Sequence, residues 1–472
     1  MLKRRQLFSS CLMTIMATLF FCLNAGAQNT TPDSTKLITG DIVLIGNKIT
    51  KSSVILRELT FHKGDTISTA DIPQLIRRSE ENLQNTSLFN NVHITWLQDG
   101  FKANIYVLVA ERWYIFPVPV FEIAERNFNV WWQEKDFSRV IYGGILNWNN
   151  FRGRNETVAA TIRLGYIQRF SFYYSFPSIT RNQKTGLTLS YAYSRVHQTP
   201  VETLNNKTEY FKDSEGYSRK ENGGSIVLSF RPKINVTHYV EAGFRHASVE
   251  DTVISLNENY FSEGNKTNYG ILRYYLKVEH RDLAVYATKG YFFDIEAVKN
   301  GLPFLNEGVD MTYILSHYKK FFPLSSHWNF NFGVSGKYNV QGKVPYYFTK
   351  ALGYGKDFIR GYEYYVIDGQ NFSLLKSNIR FTLLPKHEIH AGFIPLDKFA
   401  TIPYAFYINL YGDAGYVWDN QFKSGNPLVN SWQYGFGAGI DFVTYYDMVF
   451  RLEYSINKLG ESGIFLHFTS SI

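Results

Sequence analysis

The chain has 472 residues, enough for two or three domains, and a formal net charge of +8. Aromatic residues make up 17% of it, with 34 Tyr and 38 Phe, yet mean hydropathy is -0.21. Beyond residue 27 no apolar run reaches the roughly 18 residues of a spanning helix, which excludes a helical membrane protein, and the scattered Lys and Arg exclude a nucleic-acid footprint.

Residues 1–27 read as a signal peptide. Lys3, Arg4 and Arg5 form a basic start, Leu12 to Leu23 is apolar, and Ala25-Gly26-Ala27 is a small-residue cleavage site. The mature chain is expected to begin near Gln28, with a polar leader over 28–36. Bulky Phe21 before Cys22 argues against a lipid anchor. Cys11 and Cys22 both fall in the signal segment, so the mature chain has no disulfide scaffold and no thiolate metal site, as suits a bacterial envelope protein. Export, many aromatics and many short alternating runs together point to a transmembrane β-barrel, with a large soluble β-protein as the alternative.

Residues 37–112 predict a compact α+β domain. Ile38 to Ile45 is a strand that ends at the turn Gly46-Asn47. A short helix runs from Ser52 to Leu59, and Gly64-Asp65 breaks the chain. Ser68 or Thr69 caps a second helix with an apolar stripe of Ile72, Leu75, Ile76 and Leu83. Strands Val92 to Leu97 and Lys102 to Val109 form a hairpin about Asp99-Gly100. The order is β-α-α-β-β. This unit resembles the POTRA domain through Gly46, Asn47, Arg57-Glu58-Leu59, Gly64, Asp65, Phe89, Val92 and Glu111. Each of these residues also has a purely structural reading: the glycines make turns and Phe89 plugs the core. The resemblance implies a periplasmic domain that pairs extended clients with a sheet edge.

Residues 113–472 alternate as strands do. The runs are 114–123, 137–148, 157–167, 169–176, 185–196, 224–231, 236–248, 268–280, 290–299, 311–322, 327–338, 372–384, 404–412, 431–442, 447–455 and 463–470. An even number of strands suits a single-chain bacterial barrel. Connections after odd-numbered runs are mostly long and those after even ones mostly short, apart from the long stretch Pro385 to Pro403. The fold class is therefore mainly β: a 16-stranded antiparallel transmembrane barrel behind one POTRA domain.

This region resembles the superfamily that couples POTRA domains to such barrels, including the BamA/TamA assembly factors and two-partner secretion transporters. The matching motifs are Asn150-Phe151-Arg152-Gly153-Arg154, Tyr174 to Pro177, Thr288 to Tyr291, Ile359-Arg360-Gly361-Tyr362, Tyr411 to Trp418 and Gly435 to Gly439. The resemblance implies that the sixth outer loop, with Arg360, Gly361 and Tyr362, folds into the lumen. Its Arg would pair with acidic residues on strands 12 and 13. Alternation puts Asp413 on the lumenal face of strand 13, beside Tyr407, Asn409 and Tyr411. On strand 12 the family's acid is replaced by Asn378, flanked on the same face by Lys376 and Arg380, so Glu363 or Asp368 is a candidate second carboxylate.

The resemblance also implies a lateral gate between the first and last strands. Pro117 and Pro119 remove two N–H groups from one edge of the first strand, or else lie in a linker below the sheet. On the last strand Ile464, Leu466 and Phe468 face lipid. No nucleotide or hydrolase motif is present, and His387-Glu388-Ile389-His390 lacks zinc-helix spacing, so no enzymatic activity, cofactor or metal is expected. The function implied is insertion or assembly of outer-membrane proteins. A polypeptide-secretion pore and a passive porin are the alternatives. Outer-membrane lipids, unfolded outer-membrane or secreted polypeptides and accessory periplasmic proteins are the expected partners, in a Gram-negative outer membrane.

Overall fold

The structure, a computed structural model, describes residues 35–123, 132, 140–213, 215–284, 286–302, 308–392, 401–444 and 448–468. The signal peptide, most of the leader, the starts of the runs at 137 and 447 and the end of the last run at 469–470 lie outside these residues.

The N-terminal domain is a four-stranded sheet of order β2-β1-β4-β3 with two helices. It comprises β1 (Lys36–Ile45), α1 (Ser52–Leu56), β2 (Thr66–Ser68), α2 (Ile72–Asn85), β3 (Phe89–Asp99) and β4 (Lys102–Glu111). The helix α1 is shorter than its sequence pattern suggests. The expected cap residue Ser68 instead ends β2, a three-residue strand too short to show alternation, and Asp71 precedes α2 with Pro73 in the first turn. In β4, Ala103, Ile105, Val107 and Val109 are buried on one face against Ile55, Leu59, Ile72, Leu83 and Phe89. Truncating one such side chain to Ala would cost about 2–5 kcal/mol. Gly46 is required by close approach: its φ is 95°, and a Cβ there would lie 2.0 Å from Val109 O. Asn47 donates to Thr50 O, Asp65 accepts from His62 N–H, Gly64 has φ 94° and Val92 is half-buried against the core.

All sixteen alternating runs are strands of one antiparallel sheet. They are β5 (Ile115–Ile123), β6 (Val140–Phe151), β7 (Glu156–Gly165), β8 (Ile167–Phe176), β9 (Thr185–Val196), β12 (Arg219–Lys233), β13 (Val236–Val249), β14 (Lys266–Glu279), β15 (Gly290–Asn300), β16 (Met311–Pro323), β17 (Trp328–Asn339), β18 (Asn371–His390), β19 (Thr401–Trp418), β20 (Gln433–Val443), β21 (Val449–Asn457) and β22 (Ser462–Phe468). A hairpin of β10 (Gln198–Leu204) and β11 (Lys207–Lys212) and a short helix α3 (Asp251–Leu256) lie in long loops. Alternate residues such as Ile226, Leu228 and Phe230 point outward as an apolar surface, while polar partners fill the interior. Among the described residues no helix is long and apolar enough to cross a membrane.

The stretch Pro385 to Pro403 has a structural explanation. Register shifts between Thr382 and His387 break the alternation, and β18 and β19 then continue as a ribbon. The β17 ladder ends at Phe381, Thr382 N–H makes a last bond to His327 O, and 387–390 then pair with 401–404, which have no partner on β20, past the barrel's end.

The N-terminal domain rests on the barrel turns at this same end. Lys51 N–H donates to Gly153 O (2.9 Å), and Asn150 Nδ2 donates to Thr50 Oγ1 (2.8 Å). Gly153 has φ 71°, and a Cβ on it would meet Ile49 O at 2.1 Å, so only glycine lets the two backbones approach. Asn85 holds both Asp282 O and Ala284 N–H. The strongest tie is Glu58, whose two oxygens accept from Arg231 Nη1 and Nη2 at 2.7 and 2.8 Å. Burial acts to raise the Glu58 carboxyl, but Arg231 and Arg57 outweigh it and hold the group below the usual carboxylate range.

Candidate functional site

The loop between β17 and β18 folds back into the barrel. It carries its own apolar cluster of Leu352, Ile359, Tyr362 and Ile367, packed on Leu374 and Val417 of the wall. A bridge between Leu352 and Ile367 closes its neck. At its tip, Arg360 is only 2% exposed.

A buried guanidinium needs its donors met, and here they are. Arg360 Nε and Nη2 donate to Asp413 Oδ2 and Oδ1 at 2.8 and 2.6 Å, a bidentate pair, and Nη2 also reaches Ser377 O at 3.2 Å. Nη1 lies 3.5 Å from Glu453 Oε1, and the guanidinium carbon sits 3.8 Å from the centre of the Tyr411 ring. The backbone N–H of Arg360 donates to Asp413 as well. Gly361, at φ 92°, turns the chain, and Tyr362 OH donates to Gln433 Oε1 at 2.9 Å.

Asn378 does not take part in this cluster as expected: its Nδ2 donates to Asn409 Oδ1. The second carboxylate near Arg360 is Glu453, from β21, and not a residue of β18. Asp368 is also placed elsewhere, accepting from Thr203 and from Tyr354 OH. Glu363 accepts from Gly361 N–H and faces His467 on β22. Alternation along β21 puts Arg451, Glu453, Ser455 and Asn457 inside, so their facing was readable, but which of them meets the loop tip was not. A neighbouring layer joins Arg451 to Asp441 at 2.6 and 2.7 Å, with Tyr286 OH on Asp441 and Arg380 over the Tyr286 ring.

Three glycines on the inner face of β20 make room for the loop and its partners. A Cβ on Gly435 would lie 1.9 Å from Arg360 O, one on Gly437 2.6 Å from Tyr411 OH, and one on Gly439 2.8 Å from Glu453 Cγ. Gly435→Ala is therefore expected to displace the loop, since the atom it strikes is backbone, at a cost of about 1–3 kcal/mol. Faster protease cleavage within 350–370 in a folded barrel checks this; cleavage at the wild-type rate would show that the approach is not tight.

The sheet order begins and ends on β5 and β22, and among the described residues no ladder joins them. Pro117 and Pro119 lie within β5, opposite Leu146 and Gly144 of β6, and not in a linker below the sheet. On β22, Ile464 and Phe468 are exposed, Leu466 is half-buried, and Phe465 and His467 turn inward.

A sixteen-stranded barrel filled by its own loop, with a small α+β domain at one mouth, is the architecture of the bacterial outer-membrane assembly and transport barrels. Residues 150–456 match the Omp85 superfamily domain, and residues 38–112 match the POTRA family, described as the surface antigen variable number repeat. The chain belongs to the Omp85 superfamily. Solved structures of the same fold include BamA from Haemophilus ducreyi lacking POTRA domains 1-3, at 16% identity and TM-score 0.50, covering 92% of this chain and 84% of that one. CdiB from Escherichia coli is similar at 10% identity and TM-score 0.54, covering 92% and 76%. No curated protein sequence matches the chain.

Proposed function

We propose that this protein is an outer-membrane assembly factor. Its N-terminal domain, in the periplasm, receives unfolded client polypeptide, and the meeting of β5 and β22 is a lateral gate through which client strands enter the bilayer. The observation that carries this reading is the sheet order, in which the first and last barrel strands are the two ends. One of them holds Pro117 and Pro119, which remove two N–H groups from β5. A junction whose edge carries proline has fewer ladder hydrogen bonds to break on opening. The Arg360–Asp413 pair acts as a latch that keeps the loop in the lumen, which a passive porin does not need. No chemical step belongs to this function.

A cleft of about 800 Å³ between the domain and the barrel mouth, lined by Asn91, Glu111, Tyr286, Lys386, Pro403 and Tyr407, favours a second reading. It gives an extended chain a place to enter the lumen, as a secretion pore requires. In either case the domain binds client by sheet-edge addition, since β3 is an outer strand of its sheet. One amide of β3, that of Ile94, is already held by Glu80. Amide exchange with unfolded barrel peptides should show new protection along β3; protection spread over α1 and α2 would refute this mode. Capture of clients with the domain present and deleted separates the readings. Outer-membrane barrels among the bound chains support assembly, and soluble exported chains support secretion.

A further inference from the structure

The lumen holds a second cluster that the assembly reading does not use. His467 of β22 points inward, with Nε2 3.4 Å from Glu363 Oε1 and 3.3 Å from Glu453 Oε2. The three ligand atoms lie within 4.8 Å of one another, and the two carboxylate side chains are almost completely buried. His467 Nε2 and Glu453 Oε2 have no hydrogen-bond partner, although both atoms are buried. Buried polar atoms are rarely left so.

We propose that Glu363, Glu453 and His467 bind a divalent transition-metal ion, Zn²⁺ being the best fit. Three observations favour a metal over a direct ion pair. First, a charge-assisted hydrogen bond would draw the imidazole and carboxylates to about 2.7–2.9 Å. The spacing found is instead close to the edge of a zinc tetrahedron, roughly 3.4 Å for ligands at about 2.0–2.1 Å from the ion. Second, the ligands are already oriented by outer partners. Gly361 N–H holds Glu363 Oε2 at 2.9 Å, leaving Oε1 towards the cluster. Arg360 and Arg451 lie at 3.5 and 3.7 Å from Glu453 Oε1, leaving Oε2 towards it. The Phe358 ring stacks on His467. Third, the charges are uneven. Arg360 is matched by Asp413 and Arg451 by Asp441, and against Glu363 and Glu453 there is only Lys376, whose ammonium sits over the Phe358 ring, so carboxylates still outnumber the buried cations beside the imidazole. One imidazole and two carboxylates without thiolate suit zinc, with water in the fourth position.

The three ligands come from the folded-in loop, from β21 and from β22, so the ion ties the loop to the last strand of the barrel. A metal here holds that strand against the lumen and makes opening of the β5–β22 junction respond to zinc.

The test uses the purified full-length barrel, stripped with chelator and titrated with Zn²⁺ alone, with heat-modifiable migration confirming that each variant is folded. The wild type should bind one Zn²⁺ per chain saturably, and His467→Gln and Glu363→Gln should each weaken binding at least tenfold. Glu363 lies on the loop outside the strand ladder, so its variant keeps the test valid if His467→Gln fails to fold. Zinc should also slow protease cleavage within 350–370 in the wild type and not in Glu363→Gln. No saturable binding by the wild type would overturn the proposal, as a protonated His467 bridging the carboxylates would predict. Binding at wild-type affinity in the folded variants would overturn it equally.

Discussion

Arg360→Ala is expected to release the loop from the lumen while the barrel still folds, and the proposed client insertion is expected to fall with it. The strand ladder does not involve Arg360, so folding is spared. The substitution removes the partner of Asp413, whose side chain is completely buried, and leaves Glu453 without its contact to the loop tip. Breaking a buried pair by removing one member costs about 3–5 kcal/mol, because the other charge stays desolvated. That is enough to move a docked loop to a mostly undocked one. Arg360→Lys should rescue little, since an ammonium cannot make the two parallel bonds to Asp413 or stack flat on Tyr411. Proteolysis within 350–370 and channel conductance report the loop directly. Wild-type cleavage together with wild-type insertion would show the cluster to be unimportant. Asn378→Glu should not mimic a tighter latch, because Asn378 bonds Asn409 and the Arg360 fork is already filled by Asp413.

The second large effect is expected at the domain–barrel contact. Arg231→Ala leaves Glu58, 1% exposed, with only Arg57 beside it. Charge-assisted bonds are worth about 1.5–3 kcal/mol each, and the partial exposure of Arg231 puts the pair near the lower end of that range. The remaining ties include the Lys289–Glu81 ion pair at 3.6 Å and the bond from Arg78 Nη1 to Arg281 O beside the neutral hydrogen bonds, so docking should weaken, seen as a less efficient cross-link between α1 and the β12–β13 turn. The contact is also sensitive to acid. The Glu58 carboxyl is held below its unfolded value, so its contribution is complete above the ordinary carboxylate range and is lost as pH falls through the depressed folded value. Wild-type docking should loosen in that acid window, and docking in Arg231→Ala should show a weaker dependence there. A domain as tightly docked in Arg231→Ala as in the wild type at neutral pH would assign the contact to the Asn85, Gly153, Arg78 and Lys289 ties.

The barrel was legible because its signal is local. A period of two, apolar outside and polar inside, is written into each strand separately, and turn residues mark the ends. Parity alone put Asp413 inside, and the motif around Arg360 named its partner. Where bulges interrupt the period, between Thr382 and His387, the strand became invisible and read as a long connection. Residues brought together by the folding of the loop into the lumen and by docking of the N-terminal domain were beyond reach. Glu453 and His467 each face inward by parity, but their meeting with Glu363 depends on the path of a loop some ninety residues earlier in the chain. Glu58 and Arg231 are 173 residues apart, and nothing near either one marks it as a docking residue.

Lateral gating at β5 and β22 is tested most directly by locking the junction. Cys11 and Cys22 are the chain's only cysteines, both in the segment read as a signal peptide, so one engineered cysteine on each strand gives a single defined disulfide. The oxidised barrel, reconstituted in vesicles, should fail to insert an unfolded barrel client, and reductant should restore insertion to the rate of the unlocked protein. Insertion at that rate by the fully oxidised barrel would contradict the gate.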